Sequence, residues 1–73
     1  MDFSRYDELK PKISEGITYD DFIKYIGNVD GILIEKSSYS KKYIWVAEDG
    51  RSYLNGTFSI STGKCTFISG MMY

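Results

Sequence analysis

The sequence predicts an α+β fold in which a helix-loop-helix packs on one face of a four-stranded antiparallel β-sheet. Apolar residues recur at helical spacing only up to Gly27. Beyond that glycine the chain alternates with period two and is rich in β-branched and aromatic residues, which is typical of strands. A chain of 73 residues is long enough for one hydrophobic core. We therefore expect a single domain over residues 1–73.

The first helix is predicted over about Phe3–Lys10. Tyr6 and Leu9 repeat the apolar position at helical spacing, and charged residues fall between them. Pro11 lacks a backbone donor and clashes with the preceding turn, so it should end or kink this helix. Residues 12–16 are then a connector.

The second helix has a marked beginning and end. Thr18 is a favoured N-cap, whose hydroxyl can accept a hydrogen bond from the Asp21 amide. Ile17 and Phe22 occupy the two positions of a hydrophobic staple. Gly27 can supply the left-handed residue that ends a helix. The sequence therefore predicts a short helix between Thr18 and Gly27.

Four strands are predicted, near Gly31–Ser37, Lys42–Ala47, Ser52–Ile60 and Lys64–Ser69. Glu48-Asp49-Gly50 is a strong hairpin signal, because Asp-Gly adopts the positive backbone angles of tight turns. Ser61-Thr62-Gly63 is a second, weaker one. Gly56 inside the third strand indicates a bulge, a bend or the close approach of another element.

Alternation along the strands assigns two faces to the sheet. The face expected beneath the helices comprises Ile32, Ile34, Ile44, Val46, Leu54, Phe58 and Ile60. The face expected to remain uncovered comprises Tyr43, Trp45, Tyr53, Asn55 and Thr57, with Phe67 or Ile68 from the last strand. Residues 70–73 could extend this patch or cap the core.

The uncovered face is the predicted partner-binding site, because Trp and Tyr most often anchor protein interfaces. Its five predicted contact residues are Tyr43, Trp45, Tyr53, Asn55 and Thr57. Two other interpretations stay open. The rings could pack only with one another across the strands, or the faces could be inverted so that Trp45 lies in the core.

Catalytic chemistry is not expected. The chain has no His to act as a base near neutral pH and no His/Cys cluster for a transition metal. Asp20 and Asp21 form a carboxylate pair, but they occupy a first helical turn, where negative charge is favoured. Glu48 and Asp49 fit a turn, and Cys65 fits a small buried hydrophobe. We predict no catalytic residue, no metal site and no cofactor.

The charge balance disfavours nucleic acid as a partner. Nine basic and ten acidic side chains give a net charge of −1, without the strong field of a nucleic-acid binder. The alternative function is nevertheless single-strand binding through Tyr39, Lys41, Lys42 and Tyr43, since stacking beside a basic groove holds single strands. A third alternative is self-association through an exposed edge strand.

The cellular location is predicted from what the sequence lacks. A single cysteine cannot form an intrachain disulfide, which favours a reducing compartment. The amino terminus has no basic stretch followed by an apolar run, and no apolar segment is long enough to span a bilayer. We expect a soluble, cytoplasmic protein with no membrane partner, unless an export signal or lipid anchor has been removed.

Residues 13–27 read Ile-x-x-Gly-Ile-Thr-Tyr-Asp-Asp-Phe-x-x-x-Ile-Gly. This segment resembles the Gly-Met-Thr-x-x-x-Val-x-x-x-x-Gly segment of β-lactamase inhibitor protein (BLIP) repeats and of SmpA/OmlA-type lipoproteins. Tyr43-Ile44-Trp45 and Phe58-x-x-x-x-Gly63-Lys64 fall where those families place an aromatic strand and a final hairpin. The resemblance implies a helix-loop-helix on a four-stranded sheet, in modules that hold other proteins. It also implies that the surface corresponding to the inhibitors' binding face contains Tyr43, Trp45 and Tyr53.

The chain also departs from that pattern. It has Ile17 where the family usually has Met, and it lacks the Pro that often follows the helix-ending Gly27. It shows neither a lipobox nor the disulfide of the inhibitor repeats, so the envelope location is not transferred. The resulting expectation is a non-enzymatic inhibitor or adaptor that binds another protein. A small acidic module without an export signal would suit a phage or mobile-element protein that blocks a host enzyme.

Overall fold

The computed structural model describes residues 4–71. Its elements are α1 (Tyr6–Glu15), α2 (Tyr19–Lys24), β1 (Ile32–Lys36), β2 (Ser40–Val46), β3 (Tyr53–Ser59) and β4 (Cys65–Met71). The strands form one antiparallel sheet in the order β1-β2-β3-β4. The predicted α+β fold is confirmed. Phe3, Met72 and Tyr73, which the sequence-based predictions included, lie outside the described residues.

Helix α1 does not end at Pro11, so the predicted helix end and the predicted connector over residues 12–16 are wrong. The helix runs through the proline to Glu15, and Gly16 ends it with a left-handed φ of 85°. Proline in a helix interior costs about 3 kcal/mol. Packing outweighs this cost, because Leu9 is fully buried and Ile13, one turn later, also packs against the core. The apolar stripe therefore continues past the proline.

Helix α2 lies between the predicted ends. Thr18 is its N-cap, although its hydroxyl donates to the Asp21 carboxylate at 3.3 Å and does not accept from the Asp21 amide. After Lys24 the α-helix is followed by a turn, in which Gly27 takes a φ of 96°. The Asn28 amide then donates to the Ile23 carbonyl at 2.8 Å, which is the bond of a helix-ending Schellman turn.

The turn between β2 and β3 forms at the predicted Glu48-Asp49-Gly50. Asp49 Oδ1 accepts hydrogen bonds from the Arg51 and Ser52 amides, both at 2.8 Å, and Oδ2 accepts one from the Ser52 hydroxyl. Gly50 has a φ of 72°. The two backbone donors and the Ser52 hydroxyl lower the pKa of the Asp49 carboxyl, because they favour its charged form.

Because of this turn, the stability of the folded protein should decrease at acidic pH. A carboxyl whose pKa is lower in the folded chain than in the unfolded chain stabilises the folded state at pH values above its unfolded pKa. This stabilisation is lost as the pH falls below about 4. We expect the thermal midpoint of the wild type to fall more steeply between pH 5 and pH 2 than that of Asp49→Ala, as followed by circular dichroism. Glu48→Ala is the matched control, because Glu48 accepts none of these bonds. Parallel curves for the wild type and Asp49→Ala would contradict the assignment.

Trp45 lies on the sheet face beneath the helices, so the prediction that Trp45 lies on the uncovered face is wrong. Trp45 is 2% exposed, and its ring centroid lies 4.9 Å from that of Phe22 on α2. The register explains the error. Trp45 pairs with Leu54, and directly opposite residues of antiparallel strands share a face. Since Leu54 is fully buried, Trp45 lies in the core with it.

For β1 and β2 the predicted faces are therefore inverted, whereas for β3 they are correct. Ile32, Ile34 and Val46, predicted beneath the helices, are exposed. Ile44 is half-buried, but it is paired with Asn55 and so lies on the face away from the helices. Ile60 is exposed in the turn after β3. The helix-side core consists of Leu9, Ile17, Phe22, Ile26, Trp45, Leu54, Phe58 and Cys65.

Two glycines make room for the indole ring. A Cβ on Gly31 would lie 2.7 Å from Trp45 Cε2, and one on Gly56 would lie 3.2 Å from Trp45 Cζ3. The close approach predicted at Gly56 is thus confirmed. Trp45 Nε1 donates to the Val29 carbonyl at 2.7 Å, so the one polar atom of the ring is paired despite its burial.

Candidate functional site

The sheet face away from the helices, here called the open face, carries four cross-strand rows of side chains. The strand register defines them, since directly opposite residues share a face. The rows are Val46 with Tyr53 and Met71; Ile32 with Ile44, Asn55 and Ser69; Glu35 with Lys42, Thr57 and Phe67; and Ser40 with Ser59. Both helices send their buried side chains, which include Leu9 and Phe22, to the other face.

The open face is apolar and exposed. Ile32 is 64% exposed and Phe67 61%, and Val46 and Met71 are also classed as exposed. The first row is largely apolar, the second has two apolar and two polar side chains, the third ends in Phe67 and the fourth consists of two serines. Several exposed apolar side chains on one face are typical of an interaction site.

The structure divides the five residues predicted to bind a partner. Tyr53, Asn55 and Thr57 lie on the open face, as the alternation along β3 predicts. Tyr43 and Trp45 lie on the helix side, and their predicted place in the site is wrong. The interpretation in which the faces of their strand are inverted is the one confirmed. Three predicted residues therefore remain in the candidate site.

Five further residues belong to the site although the prediction either missed them or left them undecided. Three were missed, namely Ile32, Ile44 and Val46, while Met71 was left open between the patch and the core and Phe67 was named with Ile68 as alternatives. Phe67 lies on the open face, and Ile68 packs against the core. The signal that could have found Val46 is the hairpin at Asp49-Gly50, because a tight turn fixes which residues face each other.

Asn55 gives the open face a polar centre. It sits on the inner strand β3, between Ile44 on one neighbouring strand and Ser69 on the other. Its Oδ1 is shielded from solvent and accepts no hydrogen bond within residues 4–71. A shielded acceptor without a donor costs about 1–3 kcal/mol, so this position is not optimised for stability.

The remaining aromatic rings form a cluster on the helix side. Tyr43 packs on Tyr19 with ring centroids 4.9 Å apart, and Phe58 packs edge-on against Phe22 at 5.2 Å. The Tyr19 hydroxyl accepts from the Gly31 amide at 3.0 Å, and burial raises the pKa of that hydroxyl. These rings hold the core together.

The residues of the nucleic-acid alternative are not brought into one groove. Lys41 pairs with Phe58 on the helix side, whereas the neighbouring Lys42 lies on the open face. Tyr43 is packed against Tyr19, and Tyr39 is exposed in the loop before β2. Stacking beside a continuous basic groove would require these side chains on one surface.

The polar groups considered for chemistry are dispersed. Cys65 is 3% exposed, and burial raises the pKa of its thiol, so it is a poor nucleophile near neutral pH. Within residues 4–71, no three His, Cys, Asp or Glu side chains lie close enough together to hold a metal ion. Over the same part of the chain, no helix has the length and apolar character to cross a membrane.

The predicted resemblance to the BLIP repeats and the SmpA/OmlA-type lipoproteins rests on residues 13–27, on Tyr43-Ile44-Trp45 and on the segment from Phe58 to Lys64. The resemblance stays a prediction, and the function proposed below is based on the open face. The comparisons with protein-family models, curated proteins and solved structures find no match to this chain.

Proposed function

We propose that this protein is a non-enzymatic protein-binding module, an inhibitor or adaptor, that engages a partner protein through the open face. One observation supports this function above the others. Apolar side chains from all four strands lie on this face, Ile32, Val46, Phe67 and Met71 among them are exposed, and none of the described residues 4–71 belongs to a helix that packs there. Tyr53, Asn55 and Thr57 remain contact residues in this proposal, now with Ile32, Val46, Phe67 and Met71.

The composition of the surface suits a protein partner. Apolar side chains dominate, while Glu35 and Lys42 lie side by side at one end and cancel in charge. Protein interfaces combine apolar contacts with hydrogen bonds, and the open face offers apolar side chains around the polar Asn55. Because the face is part of a hydrogen-bonded sheet, its backbone is held in place before binding, which lowers the entropy lost on association.

The experiment compares one variant on the open face with a matched variant off it. The protein is immobilised, its partner is captured from host lysate and identified by mass spectrometry, and the purified pair is then titrated. Phe67→Lys should weaken binding by at least about thirtyfold, because an anchoring ring is lost and a charge is buried. Ile60→Lys is the control, since Ile60 is also an exposed apolar residue but lies in the turn after β3.

The salt response separates this function from the alternative. An apolar protein interface should change little in affinity between low and high salt, whereas a nucleic-acid complex weakens steeply. Equal loss of binding in Phe67→Lys and Ile60→Lys would remove the open face from consideration. Retention of single-stranded nucleic acid that is lost in high salt would favour the other function.

A further inference from the structure

The outer edge of β4 has backbone groups that no described residue pairs. The Ser59 amide donates to the Lys64 carbonyl at 2.9 Å, so the backbone of Ser59 faces β4. Because alternate residues of an antiparallel strand face the same neighbour, every second residue of β3 faces β4, and the residues opposite them face back, namely Phe67, Ser69 and Met71. The amides and carbonyls of the intervening Ile68 and Gly70 therefore point away from the sheet, and no residue of 4–71 is hydrogen-bonded to them.

This edge is more regular than the edge at β1. In β4 the register shift lies at the start of the strand, so the pairing from Phe67 to Met71 is uninterrupted. In β1 the shift falls in the middle, between Leu33 and Glu35, and such a bulge disturbs the row of groups that an added strand would need. A strand that adds to this sheet therefore finds the better template at β4.

A groove lies beside the β4 edge, between this strand and α1. Its volume of about 540 Å³ is within the range of about 300–1,000 Å³ found for ligand clefts. Ile13 and Ile68 supply apolar surface, and both pack against the core. The residues that line the groove are Tyr6, Lys10, Ile13 and Ser14 from α1 and Thr66, Phe67 and Ile68 from β4. At Ile68, unpaired backbone groups and a place for a side chain thus lie next to each other.

Lys10 gives the groove a positive charge. It is the one charged residue among those that line the groove. Three other basic residues of the helical segment, Arg5, Lys12 and Lys24, each pair with a carboxylate. Lys10 has no carboxylate partner within residues 4–71, and its ammonium lies 5.4 Å from the centre of the Tyr6 ring. The charge of the groove therefore favours a ligand that carries a carboxylate.

We propose that an extended segment of a partner protein adds to the sheet as a fifth strand at β4. Its backbone pairs with Ile68 and Gly70, one of its apolar side chains enters the groove, and one of its carboxylates lies beside Lys10. In this mode of recognition the main-chain bonds give affinity, while the groove and its charge give sequence preference. The inference goes beyond the proposed function, because the edge and the open face are different surfaces that share Phe67.

Random octapeptides displayed on phage and selected against the immobilised full chain supply the probe. The enriched peptides should share an apolar residue and a nearby Asp or Glu. The strongest is synthesised with a fluorescent label and titrated by anisotropy. Lys10→Glu should weaken its binding at least about fivefold, because an attraction becomes a repulsion. Lys12→Glu is the matched control, since Lys12 lies on the same helix but does not line the groove, and it should bind like the wild type.

Two readouts test the backbone pairing itself. Methylation of one peptide amide at a time should weaken binding at every second position, since alternate amides of a paired strand donate to its neighbour. The Ile68 and Gly70 amides should become protected from hydrogen exchange when the peptide binds. Neither readout needs a substitution in the protein, so neither can arise from misfolding.

Four results would overturn the inference. The first is a selection that enriches no peptide, and the second is equal binding by Lys10→Glu and Lys12→Glu. The third is tolerance of amide methylation without a period of two, and the fourth is protection at β1 in place of β4. Val46→Lys, on the open face, should leave the affinity for the peptide unchanged. Because that variant alters the open face and not the groove, failure at the edge is distinguishable from failure of the proposed function.

Discussion

Replacing Trp45 with alanine should lower the free energy of unfolding by about 3–5 kcal/mol, measured by urea denaturation with circular dichroism. The ring is almost fully buried and packs against Phe22, and its Nε1 donates to the Val29 carbonyl. Truncation leaves a large cavity under a short helix and removes the donor from that carbonyl. In a chain of 73 residues such a loss is a large share of the total stability.

The control for this prediction is the next residue along the strand. Val46 points to the open face, so Val46→Ala removes apolar surface that is already half in water. We expect it to cost less than about 1 kcal/mol. If Trp45→Ala were as mild as Val46→Ala, the buried side of β2 would be assigned wrongly.

Gly31→Ala should cost about 1–3 kcal/mol, a large effect for the addition of one methyl group. The new Cβ would lie 2.7 Å from Trp45 Cε2 and 2.9 Å from Tyr43 Cβ. The backbone has little freedom to retreat, because the Gly31 amide donates to the Tyr19 hydroxyl at 3.0 Å. The methyl group therefore forces a shift in the ring cluster or in the start of β1.

Rescue by a smaller ring identifies the contact responsible. In a Trp45→Phe background the ring edge nearest Gly31 is absent, so Gly31→Ala should cost less there than in the wild type. The two substitutions should be non-additive, as expected for residues in contact. An equal cost in both backgrounds would show that the penalty comes from the contact with Tyr43 Cβ or from the backbone of residue 31, and not from the indole.

Features set by neighbouring residues could be predicted from the sequence. Thr18 and Gly27 mark the ends of α2, and Asp49 with Gly50 forms the turn between β2 and β3. These signals depend on backbone angles and on hydrogen bonds within a few residues. The extension of α1 past Pro11 depends on the distant core, so the local cost of proline misled the prediction.

The buried side of β2 could not be read from β2 alone. Its two sets of side chains, one with Trp45 and the other with Ile44 and Val46, are both apolar, so alternation does not say which is covered. The pairing of Trp45 with Leu54 settles it, because β3 alternates clearly between apolar and polar residues. The same ambiguity explains why the β3 residues of the candidate site were placed correctly and the β2 residues were not.

The burial of Trp45 gives this protein a built-in optical reporter. It is the one tryptophan of the chain, and it is shielded from water on the side of the sheet away from the open face. Its fluorescence should be blue-shifted in the native state and move to longer wavelength on unfolding, while a partner on the open face should leave it unchanged. One emission spectrum can therefore distinguish a variant that no longer binds from one that no longer folds.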